Sequence, residues 1–193
     1  MGLLGWLRAF WQRDAVPPPG ADTLGAATLP KQPDPLPSVV IPRPLSAQDE
    51  RAKQARGYRN KNPGNIDWNA RNDWRGQIGR EATGNPPRFI VFDSHENGIR
   101  ALARLLQSYQ TKHNLHTIAG IINRWAPTKE NNTSAYVNFV AQRLGIEPDE
   151  QVDVFKWNIA RPMVEAIIRK ELGGNPYPPE VIDEGVQRAG VVR

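Results

Sequence analysis

The chain has 193 residues, no cysteine, three histidines, a net charge of +5 and a pI near 9.7. The absence of cysteine excludes disulfides and thiolate metal sites, and the histidines lack zinc-site spacing, so we predict no metal and no other cofactor. The positive charge favours anionic partners such as nucleic acid, anionic lipid or the bacterial wall. No run of Lys and Arg indicates a specific nucleic-acid site.

Residues 1–13 form a short amphipathic segment. Leu3, Leu4, Leu7, Phe10 and Trp11 fall on one face of a helix. The apolar run is far shorter than the ~20 residues that span a bilayer, and it lacks the basic start and cleavage site of a signal peptide. We expect this helix to dock on a larger assembly or to lie on a membrane surface.

Residues 14–44 are predicted to be an extended linker. Nine of the 18 prolines fall between Pro17 and Pro44, and proline-rich segments favour extended polyproline II structure. The predicted organisation is therefore a tether, a spacer, a globular domain over residues 45–174, and a short C-terminal helix with a tail over residues 175–193.

The globular domain begins with local signals for a short helix and a hairpin. Ser46-x-x-Asp49 is a variant of the capping box and predicts a short helix, with Gly57 as its stop. Ile78 and residues 89–92 predict two short strands with a Gly-Asn-Pro-Pro turn between them.

The rest of the domain shows helical periodicity, so we predict an α+β fold that is mostly helical. Thr117 is a natural N-cap and Gly145 a natural stop, while Pro162 is expected in the first turn of its helix. A last short helix is expected to start at Pro179. The apolar faces that define the four main helices lie within residues 99–109, 118–125, 136–144 and 163–172.

A turn rich in asparagine, Asn62-Pro-Gly-Asn65, precedes the predicted strands. Pro followed by Gly sets the backbone angles of a tight turn. Asn amides both donate and accept hydrogen bonds, which suits sugar hydroxyls and acetamido groups. Because Trp68 and Trp74 follow, we predict a carbohydrate-facing surface. The alternative is a plain turn leading into a hairpin.

Glu96 is the leading candidate for a catalytic acid. It lies where the second predicted strand gives way to a helix, and such junctions commonly hold functional groups. A carboxyl group among apolar side chains is suited to act as a general acid near neutral pH. The alternative is that Asp93 and Glu96 form a capping box.

Glu130 is the second candidate acid. It lies in an Asn-rich loop between two predicted helices, and loops carry binding residues more often than helix faces do. Tyr136 would add a ring contact for a sugar. The alternative for Glu130 is an ordinary exposed loop glutamate. In that case Asn132 or Thr133 would be the N-cap of the next helix, and Tyr136 would lie in the core.

These carboxylates allow two kinds of glycan chemistry. A glycosidase needs two carboxylates that flank the bond, whereas lytic cleavage of murein needs one acid/base, because the sugar's own 6-hydroxyl serves as the nucleophile. The chain contains no Gly-rich phosphate loop and no Ser nucleophile elbow.

Several motifs occur in an order that resembles a family of bacteriophage and prophage virion-associated proteins. The resemblance covers roughly residues 57–150 and includes an Asn-Pro-Gly-Asn-Ile motif. The stretches that carry it are Arg59–Ile66, Trp74-x-Gly76, Phe89–Ala101 and Ile121–Tyr136.

The same region is distantly similar to bacterial glucosaminidases of the lysozyme superfamily. The matching segments are Asn62–Ile66, Ser94–Ile99 and Asn132–Tyr136. This similarity implies a lysozyme-like helical domain with a small β-hairpin. Those enzymes carry their catalytic Glu upstream of the Asn turn, where this chain has Asp49 and Glu50. The similarity implies that Glu50 is the acid, that Glu96 or Glu130 has replaced it, or that catalysis is lost.

Three functions follow as hypotheses. The first is a virion-associated enzyme that cleaves peptidoglycan glycan strands in the host periplasm, with Asn62, Asn65, Trp68, Trp74 and Tyr136 holding the sugar. The second is a non-catalytic structural or glycan-binding component of the virion. The third is a host-encoded protein that acts at a membrane surface.

Overall fold

The structure, a computed structural model, describes residues 44–84, 86–127 and 132–193. The predicted N-terminal helix and the predicted linker up to residue 43 lie outside these ranges. Among the described residues, none of the helices combines the length and the hydropathy that crossing a bilayer requires.

Helices dominate the described part of the chain, and one small sheet interrupts them. The elements in chain order are α1 (Ala47–Ala52), α2 (Arg56–Arg59), β1 (Gln77–Arg80), β2 (Ile90–Phe92), α3 (His95–His113), α4 (Ile118–Trp125), α5 (Thr133–Leu144), α6 (Trp157–Leu172) and α7 (Pro179–Arg188). This confirms the α+β, mostly helical prediction.

The two strands form an antiparallel pair, as the sequence predicted. Gln77 pairs with Phe92 and Arg80 with Ile90, and the register shifts between Gln77 and Gly79. Such a bulge bends the strand and increases its twist. The hairpin therefore curves onto α3, where Phe92 and Ile90 are fully buried.

Helix α3 runs through the centre of the main core. Its residues Ile99, Leu102 and Leu106 are almost completely buried, and it packs against α4, α6 and α7. Side chains at i, i+3 and i+7 share one face of a helix, so one stripe of α3 contacts three other helices.

A second, smaller core lies between the hairpin and α3. It consists of Ile66, Ile90, Phe92 and Ala101. Partly buried hydrophobic residues cover it, namely Trp68, Trp74, Leu105 and Trp125. The predicted sugar-facing tryptophans therefore stand on a packed base.

Several predicted caps are confirmed. The Ser46 hydroxyl accepts a hydrogen bond from the Asp49 backbone N–H, and Thr117 does the same for Gly120. Gly145 ends α5 with the left-handed φ of 66° that glycine adopts without strain. Asn132 caps α5 through its side chain.

Two local predictions are wrong. Gly57 does not stop α1 but lies inside α2, where a Cβ would come within 2.7 Å of the Asn62 carbonyl oxygen. Close packing, rather than helix termination, requires glycine there. Pro162 is not in a first turn, because α6 already begins at Trp157. The backbone carbonyl of Asn158, which loses its helical partner, belongs to an exposed residue where water can replace the bond.

Candidate functional site

A groove of about 510 Å³ opens between the Asn-Pro-Gly turn, the hairpin and the ends of α4 and α6. Its walls are mainly aromatic rings, amides and backbone. The side chains used below are Asn65, Trp68, Trp74, Tyr109, Trp125 and Glu171, and each of them lines this groove.

Asn62 anchors the turn and does not line the groove. Its side-chain amide donates to the carbonyls of Ile66 and Ile90 at 2.9 and 3.0 Å, and its Oδ1 accepts from the Ile66 N–H at 2.9 Å. The residue is fully buried. Its side chain therefore ties the turn to β2, and the sugar contact that we predicted for Asn62 stays a prediction.

Asn65 faces the groove. Its backbone is left-handed, with φ of 47°, a conformation that Asn tolerates better than most residues. This conformation lets its Nδ2 donate to Glu171 Oε2 at 3.2 Å. Gly64 keeps the turn close to the wall, because a Cβ there would lie 2.9 Å from the Trp125 ring.

Glu171 is the central carboxylate of the groove. It is half-buried near the end of α6. Its Oε1 accepts hydrogen bonds from Trp125 Nε1 at 3.1 Å and from the Tyr136 hydroxyl at 3.0 Å, and its Oε2 accepts one from Asn65. Three neutral donors fix its position, and within the described ranges no cation forms an ion pair with it.

Tyr136 acts on the groove through Glu171. It is buried, and burial, followed by the negative charge of Glu171, raises the pKa of its hydroxyl. The hydroxyl therefore stays protonated and remains a donor to the carboxylate. The ring itself belongs to the main core.

The aromatic walls are held by packing. Trp68, Trp74 and Trp125 rest on the small core beneath the hairpin. The indole N–H of Trp74 is covered and has no acceptor among the described residues. The contacts of this ring with the small core therefore fix its position without a hydrogen bond.

Comparison with known proteins identifies the family. Over 137 residues, 69% of this chain, the sequence is 39% identical to Protein P5 of Pseudoalteromonas phage PM2, and the match covers 81% of that protein. The chain belongs to the Protein P5 family. No family model matches the chain.

Membership of the Protein P5 family confirms the coarser part of the resemblance found in the sequence, namely that the chain belongs to a phage protein family. The match spans most of the length of Protein P5 and is therefore not limited to one short motif. It leaves the chemistry of the groove to be argued from its own residues.

Glu96, the leading carboxylate predicted from sequence, lies elsewhere in this P5-family domain. Glu96 is half-buried in the first turn of α3 and does not line the groove. The capping box with Asp93 does not form, because Ser94 is the N-cap. Asp93 accepts instead from the Asn97 amide at 2.7 Å. Glu130 lies outside the described residues.

The upstream carboxylates have local partners. Glu50 is exposed and forms an ion pair with Lys53 at 2.9 Å. Asp49 accepts hydrogen bonds from Ser46 and from the Asn175 backbone at 2.8 and 2.7 Å. In the ranges that the structure describes, no group of three or more His, Asp or Glu side chains is arranged to hold a metal ion.

Sequence reasoning missed Glu171, although one signal was present. An acidic residue in the last turn of a helix faces the negative end of the helix dipole, which is unfavourable. Glu171 is one residue from the end of α6. An acid in this position therefore indicates a compensating interaction or a function.

Proposed function

We propose that this protein is a virion-associated component that binds peptidoglycan glycan strands in the groove and cleaves them with Glu171 as acid/base. The observation that carries the proposal is the Glu171 carboxylate, fixed by neutral donors, within a groove lined by tryptophans. A preorganised acid beside a substrate platform is the arrangement that general acid–base catalysis requires.

The walls of the groove match the chemistry of a sugar. The faces of pyranose rings are apolar and stack on aromatic side chains, while their edges carry hydroxyl and acetamido groups that pair with amides. Trp68 and Trp74 offer the rings, and Asn65, Asn69 and Asn72 offer the amides.

The carboxylates that line the groove favour lytic cleavage over hydrolysis. Among the residues that the structure describes, the groove contains one further carboxylate, Asp67, whose two oxygens accept from Arg88 Nε and Nη2 at 2.5 and 3.0 Å. A hydrolase with two carboxylates needs the second one free to act on water or on the sugar. A lytic transglycosylase needs only Glu171.

In the proposed reaction, protonated Glu171 donates its proton to the glycosidic oxygen as the bond from C1 to that oxygen breaks. The resulting carboxylate then takes the proton of the 6-hydroxyl, whose oxygen forms a new bond to C1. The products are a free 4-hydroxyl end and a 1,6-anhydro end. No water is consumed, and Glu171 ends protonated.

The first prediction concerns Glu171→Gln. We expect it to lower the rate of glycan-strand cleavage by ~10² or more, because the amide cannot transfer the proton. Turbidity loss of purified Gram-negative murein gives the rate, and mass spectrometry of the soluble products identifies 1,6-anhydro ends.

Glu50→Gln, Glu96→Gln and Glu130→Gln are the matched variants. The proposal requires near-normal cleavage from all three and unchanged thermal unfolding of Glu171→Gln. Abolished cleavage in Glu96→Gln or Glu130→Gln alone would move the acid to that residue. If the natural protein binds murein but releases no fragments, it is the alternative, a non-catalytic glycan-binding virion component.

We further propose that residues 1–13 attach the protein to other virion proteins or to a membrane surface. The amphipathic pattern of that segment and the proline-rich spacer behind it support this role. The spacer would let the domain reach murein in the periplasm of an infected cell.

A further inference from the structure

Two arginines stand over the aromatic walls of the groove. The guanidinium carbon of Arg80 lies 5.1 Å from the centre of the Trp68 ring, and that of Arg124 lies 5.2 Å from the centre of the Tyr109 ring. Both rings line the groove, and both arginines are exposed. Each guanidinium is thus held over a groove wall by a cation–π contact.

Neither arginine forms an ion pair within the described part of the chain. By contrast, Arg88 forms an ion pair with Asp67, so these two charges neutralise each other. Two positive charges therefore lie against rings that line the groove, while the Glu171 carboxylate lines the groove itself.

The two arginines belong to different elements. Arg80 ends strand β1, and Arg124 is in the last turn of α4. A ligand that lies along the aromatic walls would carry its substituents past both guanidiniums. Guanidinium groups bind carboxylates in a planar, two-pronged geometry.

We infer that Arg80 and Arg124 bind carboxylates of the peptides attached to the glycan, so that the groove selects peptide-bearing peptidoglycan over a neutral chitin-type glycan. This inference rests on the proposed function, because it assigns a substrate class to the same groove. The peptide substituents of peptidoglycan carry free carboxylates, whereas an oligomer of N-acetylglucosamine carries no charge.

The test compares two ligands by quenching of tryptophan fluorescence in the full-length Glu171→Gln protein, which does not consume them on the proposed mechanism. One ligand is an N-acetylglucosamine tetramer, and the other is a murein tetrasaccharide with its peptides. We expect the peptide-bearing ligand to bind about tenfold more tightly at low salt, an advantage that shrinks as salt screens the contacts.

Arg80→Gln and Arg124→Gln, each added to Glu171→Gln, should weaken binding of the peptide-bearing ligand about threefold to fivefold. Binding of the neutral tetramer should stay unchanged, which also shows that the groove is intact. Arg143→Gln is the matched control. Arg143 is exposed and stacks on Phe139 at 5.3 Å, but the Phe139 ring, unlike the rings under Arg80 and Arg124, does not line the groove, so both affinities should be unaffected.

The outcomes separate the two proposals. If both ligands bind equally and neither arginine matters, the groove binds glycans but the inference about carboxylates is wrong. If neither ligand binds, the proposed function itself fails. If Arg143→Gln weakens binding as much as the other two, the effect is one of overall charge and the inference is again overturned.

Discussion

At the scale of single residues, Gly98 fixes the distance between α3 and the turn that carries Asn65. A Cβ at this position would lie 1.8 Å from the carbonyl oxygen of Lys61. No side chain fits without moving either the helix or the backbone of the turn. The groove depends on this close approach, because the turn forms one of its walls.

We predict that Gly98→Ala lowers the free energy of unfolding by about 3 kcal/mol, because the helix or the backbone of the turn would have to move to make room for the Cβ. In an ordinary helix position the same change stabilises by about 1 kcal/mol. The sign of the change is therefore diagnostic, and urea unfolding followed by circular dichroism measures it.

Gly120→Ala is the control for this prediction. Gly120 is also helical, but its Cβ would be 3.2 Å from the Thr117 hydroxyl and 3.4 Å from the Leu115 side chain. We expect a change within about 1 kcal/mol. Equal effects of the two substitutions would contradict the contact between α3 and Lys61.

At the scale of elements, Glu81 connects the hairpin to α2. Its buried carboxylate accepts from Arg56 Nε at 2.7 Å, from Asn60 at 2.9 Å, and from the backbone N–H groups of Arg88 and Phe89 at 2.7 Å each. The bonds to Arg56 and to the backbone lower the pKa of Glu81 well below its ordinary 4.5, against the opposing effect of burial.

Because of this lowered pKa, the contribution of Glu81 to the stability of the fold depends on pH. Because the pKa is lower in the folded than in the unfolded protein, the stabilisation is present above pH 4.5 and is lost as the pH falls below that value. We predict that Glu81→Gln costs about 3 kcal/mol at pH 7, because Arg56 and two backbone donors lose a charged partner. The cost should shrink on acidification. Urea unfolding at pH 7 and pH 3 measures both effects.

Glu184→Gln is the matched control for Glu81→Gln. Glu184 pairs with Arg188 at 2.7 Å, but both side chains are substantially exposed. Such pairs contribute less than about 1 kcal/mol. Parallel acid profiles for the natural protein and Glu81→Gln would show that Glu81 does not carry the predicted pH dependence.

At the scale of the whole molecule, the core and the groove are both built from residues after position 43. The main core includes residues from Ala52 to Val191, and the groove from Gly64 to Glu171. We therefore expect the described domain to fold and to bind without residues 1–43.

We predict that a protein lacking residues 1–43 unfolds cooperatively, with a melting temperature within about 4 °C of the full chain. Its affinity for murein should also be unchanged. Calorimetry and a murein pull-down test both points. A larger loss of stability would show that the N-terminal residues contribute to the folded domain.

The sequence by itself determined the local elements of the described domain. Capping residues such as Ser46 and Thr117, the periodicity of the apolar positions and the left-handed Gly145 all act within one or two helical turns, so they can be read along the chain. Gly57 was misjudged because its close packing against Asn62 overrode its usual local meaning. Pro162 was misjudged because the carbonyl of Asn158, which loses its helical partner, is on an exposed residue where water can replace the bond.

Only the tertiary structure decided which carboxylate meets the Asn-Pro-Gly turn. Asn65 and Glu171 are 106 residues apart, and Tyr136 and Glu171 are 35 apart. Their meeting depends on how α5 and α6 pack beside the turn, and sequence spacing carries no information about that distance. For the same reason two asparagines of one motif have different positions: the pairing of the turn with β2 buries Asn62, and the left-handed backbone of Asn65 directs its amide to Glu171.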